Sequence, residues 1–207
     1  MRTERDRLGP WLVALVLAVL VWSGIRPHDR FAWFMEVFPV LLGLPVLLAT
    51  RHRFPLTPLL TVLLALHACI LMLGGKYTYA EVPRGYVAAE RLSLARNHYD
   101  RLVHFAFGLL WAYPMREVGL RGFGVPRAFA SLTALAMVLA SSALFEIIEW
   151  VIASIVDPEA GQAYLGTQGD EFDAQKDMAL AGLGGALTLS VTGLIRQRIE
   201  RRRRAAP

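Results

Sequence analysis

Glu146 and Glu149 lie in a stretch, Ala128 to Val156, that carries no other charge over its 29 residues. The local sequence is ALFEIIEWVI, so the two carboxylates share one face of a helix at i, i+3. The stretch is long enough to cross a bilayer, and an ionisable group held there is costly and by default marks a functional site. Residues elsewhere could join them: His104 and Asp100 at i, i+4, His67, and the series Asp170, Asp173 and Asp177. Three chemistries fit this set. A divalent metal could be held by His104 with some of Asp100, Glu146, Glu149, Asp173 and Asp177, since bundles build such sites from facing helices; no HExxH spacing occurs. Glu146, Glu149, His104 and Asp100 could instead work as acid and base. Or the groups could be structural, with Asp170, Asp173 and Asp177 meeting the positive end of a helix dipole and His67 hydrogen-bonded within the packing.

The elements that must position these groups are apolar. The chain has 207 residues and is 55% hydrophobic, with a mean hydropathy of +0.42. Six runs approach the ~20 residues of a spanning helix: 10–25, 31–50, 56–74, 102–118, 126–156 and 178–195. This predicts a single all-α integral membrane domain, a six-helix transmembrane bundle. The first run follows MRTERDR and lacks a small-x-small cleavage site, so it reads as an uncleaved helix.

The net charge of +5 is a matter of topology, and no nucleic-acid partner is expected. With a cytoplasmic amino terminus, 14 of the 22 basic residues fall on that side (Arg2, Arg5 and Arg7, Arg51 and Arg53, Arg116, Arg121, Arg127, Arg196, Arg198 and Arg201 to Arg204), with four acids: Glu4, Asp6, Glu117 and Glu200. Eight basic and eleven acidic residues fall to the other side, with Glu146 and Glu149 inside the apolar run. This positive-inside pattern predicts cytoplasmic termini, with the lipid bilayer as the first partner. Depth then follows from the helical rise of about 1.5 Å per residue. Glu149, Glu146, His104 and His67 all come to the outer half, beneath Asp170, Asp173 and Asp177, which predicts an outward-facing pocket.

Two outer loops are long, 75–101 and 157–177, and both read as ordered because apolar and aromatic residues are mixed among their charges. VAAERLSL (87–94) predicts a short interfacial helix, and Tyr77, Tyr79 and Tyr86 predict an aromatic belt. LGTQGD lacks the Lys and spacing of a phosphate loop and reads as a tight turn. GLGGAL (182–187) reads as a small-residue packing surface. Cys69, the single cysteine, excludes an internal disulfide and CxxC motifs and reads as a packing residue.

GGKYTYAEVPRG, RNHYDRLVHF followed by REVGLR, FEIIEW and LGTQGDEFDAQKDM resemble the YjdF family of uncharacterised bacterial inner-membrane proteins. The resemblance covers almost all of the chain after residue 30 and implies membrane location without implying an activity. A more distant likeness is to VanZ-like membrane proteins, whose DK-x-x-HF segment, membrane Glu and later D-x-x-D segment fall on Asp100 with His104, on Glu146, and on Asp170 with Asp173. Arg101 replaces the usual Lys, and the usual Gln after the Glu is absent. That likeness would imply glycopeptide resistance or envelope biology. A site at the outer interface, roofed by the two ordered loops, suits an amphiphilic substrate, and the sequence predicts action on, or binding of, an envelope lipid or lipid-linked molecule. The rivals are a proton-coupled transporter or ion pathway, and a non-catalytic scaffold. The inner half of the fifth run offers only Ser131 and Thr133, which disfavours transport.

Overall fold

The computed structural model describes residues 4–205, with side chains from Leu8 to Arg204. Of the amino-terminal charges counted above, Arg2 lies outside the described residues, and Glu4, Arg5, Asp6 and Arg7 lie outside the described side chains. All regular structure among the described residues is helical: α1 (Glu4–Gly24), α2 (Arg30–Thr50), α3 (Pro58–Tyr77), α4 (Pro83–Arg91), α5 (Tyr99–Gly122), α6 (Arg127–Ile155), α7 (Pro158–Leu165) and α8 (Asp173–Ala205), with a 3-10 turn at Tyr79–Glu81.

Local chemistry sets the helix starts. The Asp29 carboxylate accepts from the Ala32 amide at 2.7 Å and caps α2. Thr57 caps α3 through the Leu60 amide, with Pro58 in the first turn, where its missing N–H costs nothing. Asp157 and Pro158 open α7 in the same way, and Gly166 closes it in the left-handed region at φ +57°. The expected helix over 87–94 forms instead at Pro83–Arg91, because Pro83 supplies a start that the apolar pattern alone does not mark.

The long helices α1, α2, α3, α5, α6 and α8 coincide with the six apolar runs. Of these, α2, α3, α6 and α8 are long and apolar enough to cross a membrane by length and composition, and α1 contributes a shorter apolar stretch, Leu8–Gly24. α5 differs because Asp100, Arg101, Arg116, Glu117 and Arg121 dilute its apolar content. It is the central helix, packed against α3, α6 and α8. α8 begins five residues before the expected 178 and continues past 195 through the arginine run, supported by the i, i+4 pair of Arg196 with Glu200 at 2.7 Å.

α5 and α8 approach backbone to backbone. A Cβ on Gly108 would stand 1.8 Å from the Ala181 carbonyl oxygen, and one on Gly184 would stand 2.3 Å from that of Phe105. Thr188 adds a hydrogen bond to the Leu109 carbonyl at 2.6 Å. The GLGGAL surface thus packs as expected, and the close approach brings the first turns of α5 and α8 side by side. The six long helices alternate in direction. One end of the bundle, the loop end, carries segments 78–98 and 156–172. The other, the hairpin end, carries the 51–57 and 123–126 turns.

Candidate functional site

The first turns of α2, α5 and α8 and the last turns of α3 and α6 meet beneath the loop end. Asp100 and His104 share a face of α5, with Asp100 Oδ1 3.6 Å from His104 Nε2. Glu146 of α6 brings Oε1 to 3.2 Å from the same nitrogen. Asp173 and Asp177 project from the first turns of α8, and one oxygen from each lies within 4.8 Å of the others and of an Asp100 oxygen. Asp173, Asp177 and His104 are all buried. The sequence-predicted groups Asp100, His104, Glu146, Asp173 and Asp177 therefore converge, over a wider set of helices than the spacing of any one helix reveals.

Three predicted residues stand apart from that centre. Glu149 is buried one turn along α6, with Glu36 foremost among its acidic neighbours. His67 of α3 accepts a hydrogen bond at Nδ1 from the Trp111 indole at 2.9 Å and packs against Phe107. This places the proton on Nε2, which is buried without a partner. Asp170 lies on the roof, paired with Arg101, with Lys176 at 2.6 Å and with Arg96 at 3.7 Å. The Lys176 hydrogen bond, with the Phe172 amide and Arg101 adding to it, holds the Asp170 carboxyl down at about 2. Burial, then the Arg101 and Arg96 guanidiniums, push the neighbouring His98 imidazole below its ordinary value.

The roof itself is stitched from the two long loops, which are ordered as expected. Arg96 donates to Asp173 at 2.6 Å and to the Thr167 carbonyl at 2.8 Å. The Asn97 amide N–H donates to Gln168 Oε1 at 3.0 Å, and Gln168 Nε2 returns a bond to the Asn97 carbonyl at 2.9 Å. The Asn97 side chain donates to the Ala80 and Val82 carbonyls and accepts from the Tyr99 amide. LGTQGD is the tight turn, with Gly166, Gln168 and Gly169 at positive φ.

Sequence reasoning missed Glu36, Arg96 and Asn97. Glu36 of α2 is 2% exposed, has Asp100 and Glu146 as charge neighbours and lies beside the Tyr79 hydroxyl. A lone acid inside the 31–50 run is the same signal that marked Glu146, but Glu36 was counted among the outer charges. Tyr79 corrects the aromatic-belt expectation: it is buried against Tyr99, whereas Tyr86 is exposed and bonds Glu81.

A cavity of about 860 Å³ reaches His104, Ser142, Phe145 and Tyr79 from below. It passes His67, Phe107 and Trp111 between largely aliphatic walls and extends to Leu8, Arg51, His52 and Pro58 at the hairpin end. This course differs from the expected opening on the loop side: the cavity reaches His104 from the hairpin side, where α1 and α2 touch little, and the Arg96 and Asn97 network lies over the cluster at the loop end. Pro39 and Gly43 of α2 line that space.

Residues 9–198 match the family described as Predicted membrane protein (DUF2238). The chain is 46% identical over 172 residues to the inner membrane protein YjdF of Escherichia coli (strain K12), covering 83% of this chain and 82% of that protein. The YjdF resemblance read from the motifs is borne out, and the VanZ-like likeness is not shown. No solved structure matches the chain. An inner-membrane location follows from the relative and from the apolar helices.

Proposed function

This chain belongs to the family described as Predicted membrane protein (DUF2238), and from that premise we propose that it binds or acts on an envelope lipid or lipid-linked molecule. The six long helices all span the membrane, with the arginine-rich hairpin end cytoplasmic and the loop end outside, following the positive-inside asymmetry. The observation that carries the reading is the junction of an apolar cavity of about 860 Å³ with a buried polar cluster at its closed end. Ligand sites have this composition, mostly apolar walls with a few converging polar groups, and this volume falls in their usual range of about 300–1,000 Å³. An amphiphile's chain would lie between α1, α2, α3 and α5, with its polar or reacting group against His104 and Ser142, and Glu146 3.2 Å behind the imidazole. Ser142 holds the other imidazole nitrogen of His104 at 3.2 Å, which fixes the ring's orientation for proton exchange with Glu146.

The transporter reading lacks a comparable support. Between Trp111 and the hairpin-end groups the cavity wall offers Thr61 as its one polar side chain among the described residues, so no relay of ionisable groups continues.

Ala68→Phe, which fills the apolar part without touching the cluster, tests the reading. Full-length protein purified in mild detergent should carry bound lipid by mass spectrometry, and A68F should lose most of it while keeping its fold. Equal lipid retention by both would overturn the cavity's role. A scaffold role would show as Glu146→Gln and His104→Ala leaving the deletion phenotype fully complemented.

A further inference from the structure

We propose that Asp100, Asp173 and Asp177, with Nε2 of His104, form a binding site for one divalent cation of the Mn²⁺ type. The site goes beyond the lipid reading and does not rest on it.

Geometry supplies the donors. The three aspartate oxygens lie within 4.8 Å of one another. Two oxygens on opposite sides of one ion, each at roughly 2.1–2.5 Å, stand about 4–5 Å apart, so a small closing movement would seat the ion. Asp177 is 1% exposed, and its Oδ1 is buried with no hydrogen-bond partner among the described residues. A buried carboxylate oxygen without a donor is costly, and a cation removes that cost.

His104, one turn along the α5 face that carries Asp100, adds a nitrogen donor. It is 6% exposed, and its Nδ1 is taken by the Ser142 hydroxyl, which turns Nε2 toward the acids. Metal-binding imidazoles are commonly fixed in this way through their second nitrogen. Nε2 lies 3.6 Å from Asp100 Oδ1 and 3.2 Å from Glu146 Oε1, yet Glu146 Oε1 is itself without a hydrogen-bond partner. The two groups face a common point without satisfying each other.

Charge leads to the same place. Arg96 and Arg101 grip Asp173 from above, at 2.6 and 3.3 Å. Asp100, Glu146 and Asp177 have no arginine or lysine at ion-pair distance among the described residues. Asp173 is therefore the donor most committed elsewhere, and Asp100 and Asp177 form the core of the site, with His104 reaching it from beside Asp100. Three carboxylates suit Mg²⁺, Ca²⁺ or Mn²⁺ and the imidazole suits later transition ions; Mn²⁺ accepts both.

The test uses full-length protein in detergent, stripped with chelator, dialysed against Mn²⁺ and assayed for metal per chain. One equivalent is expected, with a rise in Tm on Mn²⁺ addition. Asp177→Asn and His104→Gln should each weaken binding at least tenfold and abolish the Tm rise, while Glu159→Gln, at an exposed position of α7, leaves both intact. Should D177N fail to fold, Asp100→Asn takes its place. Less than a tenth of an equivalent on folded wild-type protein, or affinity unchanged in D177N and D100N, would overturn the site. Ala68→Phe should keep its metal while losing lipid, so failure of one reading is distinguishable from failure of the other.

Discussion

The roof and the floor of the loop end are built from the same residue types and handle charge in opposite ways. On the roof, Asp170 and Asp173 meet Arg96, Arg101 and Lys176, and the Thr167, Ala80, Val82 and Asn97 carbonyls accept from side-chain donors. On the floor, Asp177, Glu149 and Glu36 are buried and Asp100 and Glu146 partly buried, with one histidine and no arginine or lysine at ion-pair distance among the described residues. Paired buried charge specifies how loops dock. Unpaired buried charge destabilises the fold and persists where a proton, a cation or a substrate completes it.

The sharpest way to break this comparison is to remove a partner from each half. Arg96→Ala leaves Asp173, 5% exposed, with Arg101 as its remaining partner and removes the donor to the Thr167 carbonyl, and should cost about 1.5–3 kcal/mol of stability, the usual worth of a hydrogen bond to a charged group. Thermal unfolding in detergent checks it, and an unchanged Tm would show that the roof is not the structural half. Asp177→Asn and Glu146→Gln on the floor should do the reverse. They remove unpaired charge, so metal-free protein should be equally stable or up to about 1 kcal/mol more stable while complementation of a deletion strain is lost. Destabilisation as large as that of R96A would place the floor among the structural charges.

The smallest effect belongs to acid. Asp170 is held at about 2, below the ordinary ~3.9 of an unfolded aspartate. Its contribution to stability is therefore present at pH 5 and above and fades only as pH falls from about 4 through 2. Asp170→Asn should remove that portion of the acid-dependent change in Tm and leave the neutral-pH profile flat.

Much of this division was legible in the residues. Uncharged runs set the bundle, and the i, i+3 and i, i+4 pairs placed Glu146 and Glu149 on one face of α6 and Asp100 with His104 on one face of α5. The alternating direction of the helices brought these faces and the start of α8 to the same end. Local spacing is silent on what depends on tertiary contact. Arg96 and Asn97 read as ordinary loop polarity until segment 166–168 is laid against them. Tyr79 reads as an interfacial ring until the 3-10 turn folds it under the roof beside Glu36. Glu36 carried a readable signal, a single acid within an apolar run, and was lost to a count of charges by side. The course of the cavity depends on gaps between helices, which no periodicity encodes.

The central claim is that the cavity beneath the cluster, not the general lipid-facing surface, is where an amphiphile is held. Photolabelling in membranes with a lipid carrying a diazirine along its chain measures this directly. The expected result is adducts on cavity residues such as Phe107, Trp111 and Phe145, diminished in A68F. Adducts confined to outward-facing residues such as Leu132, Trp150 and Ile155, with none in the cavity, would contradict it.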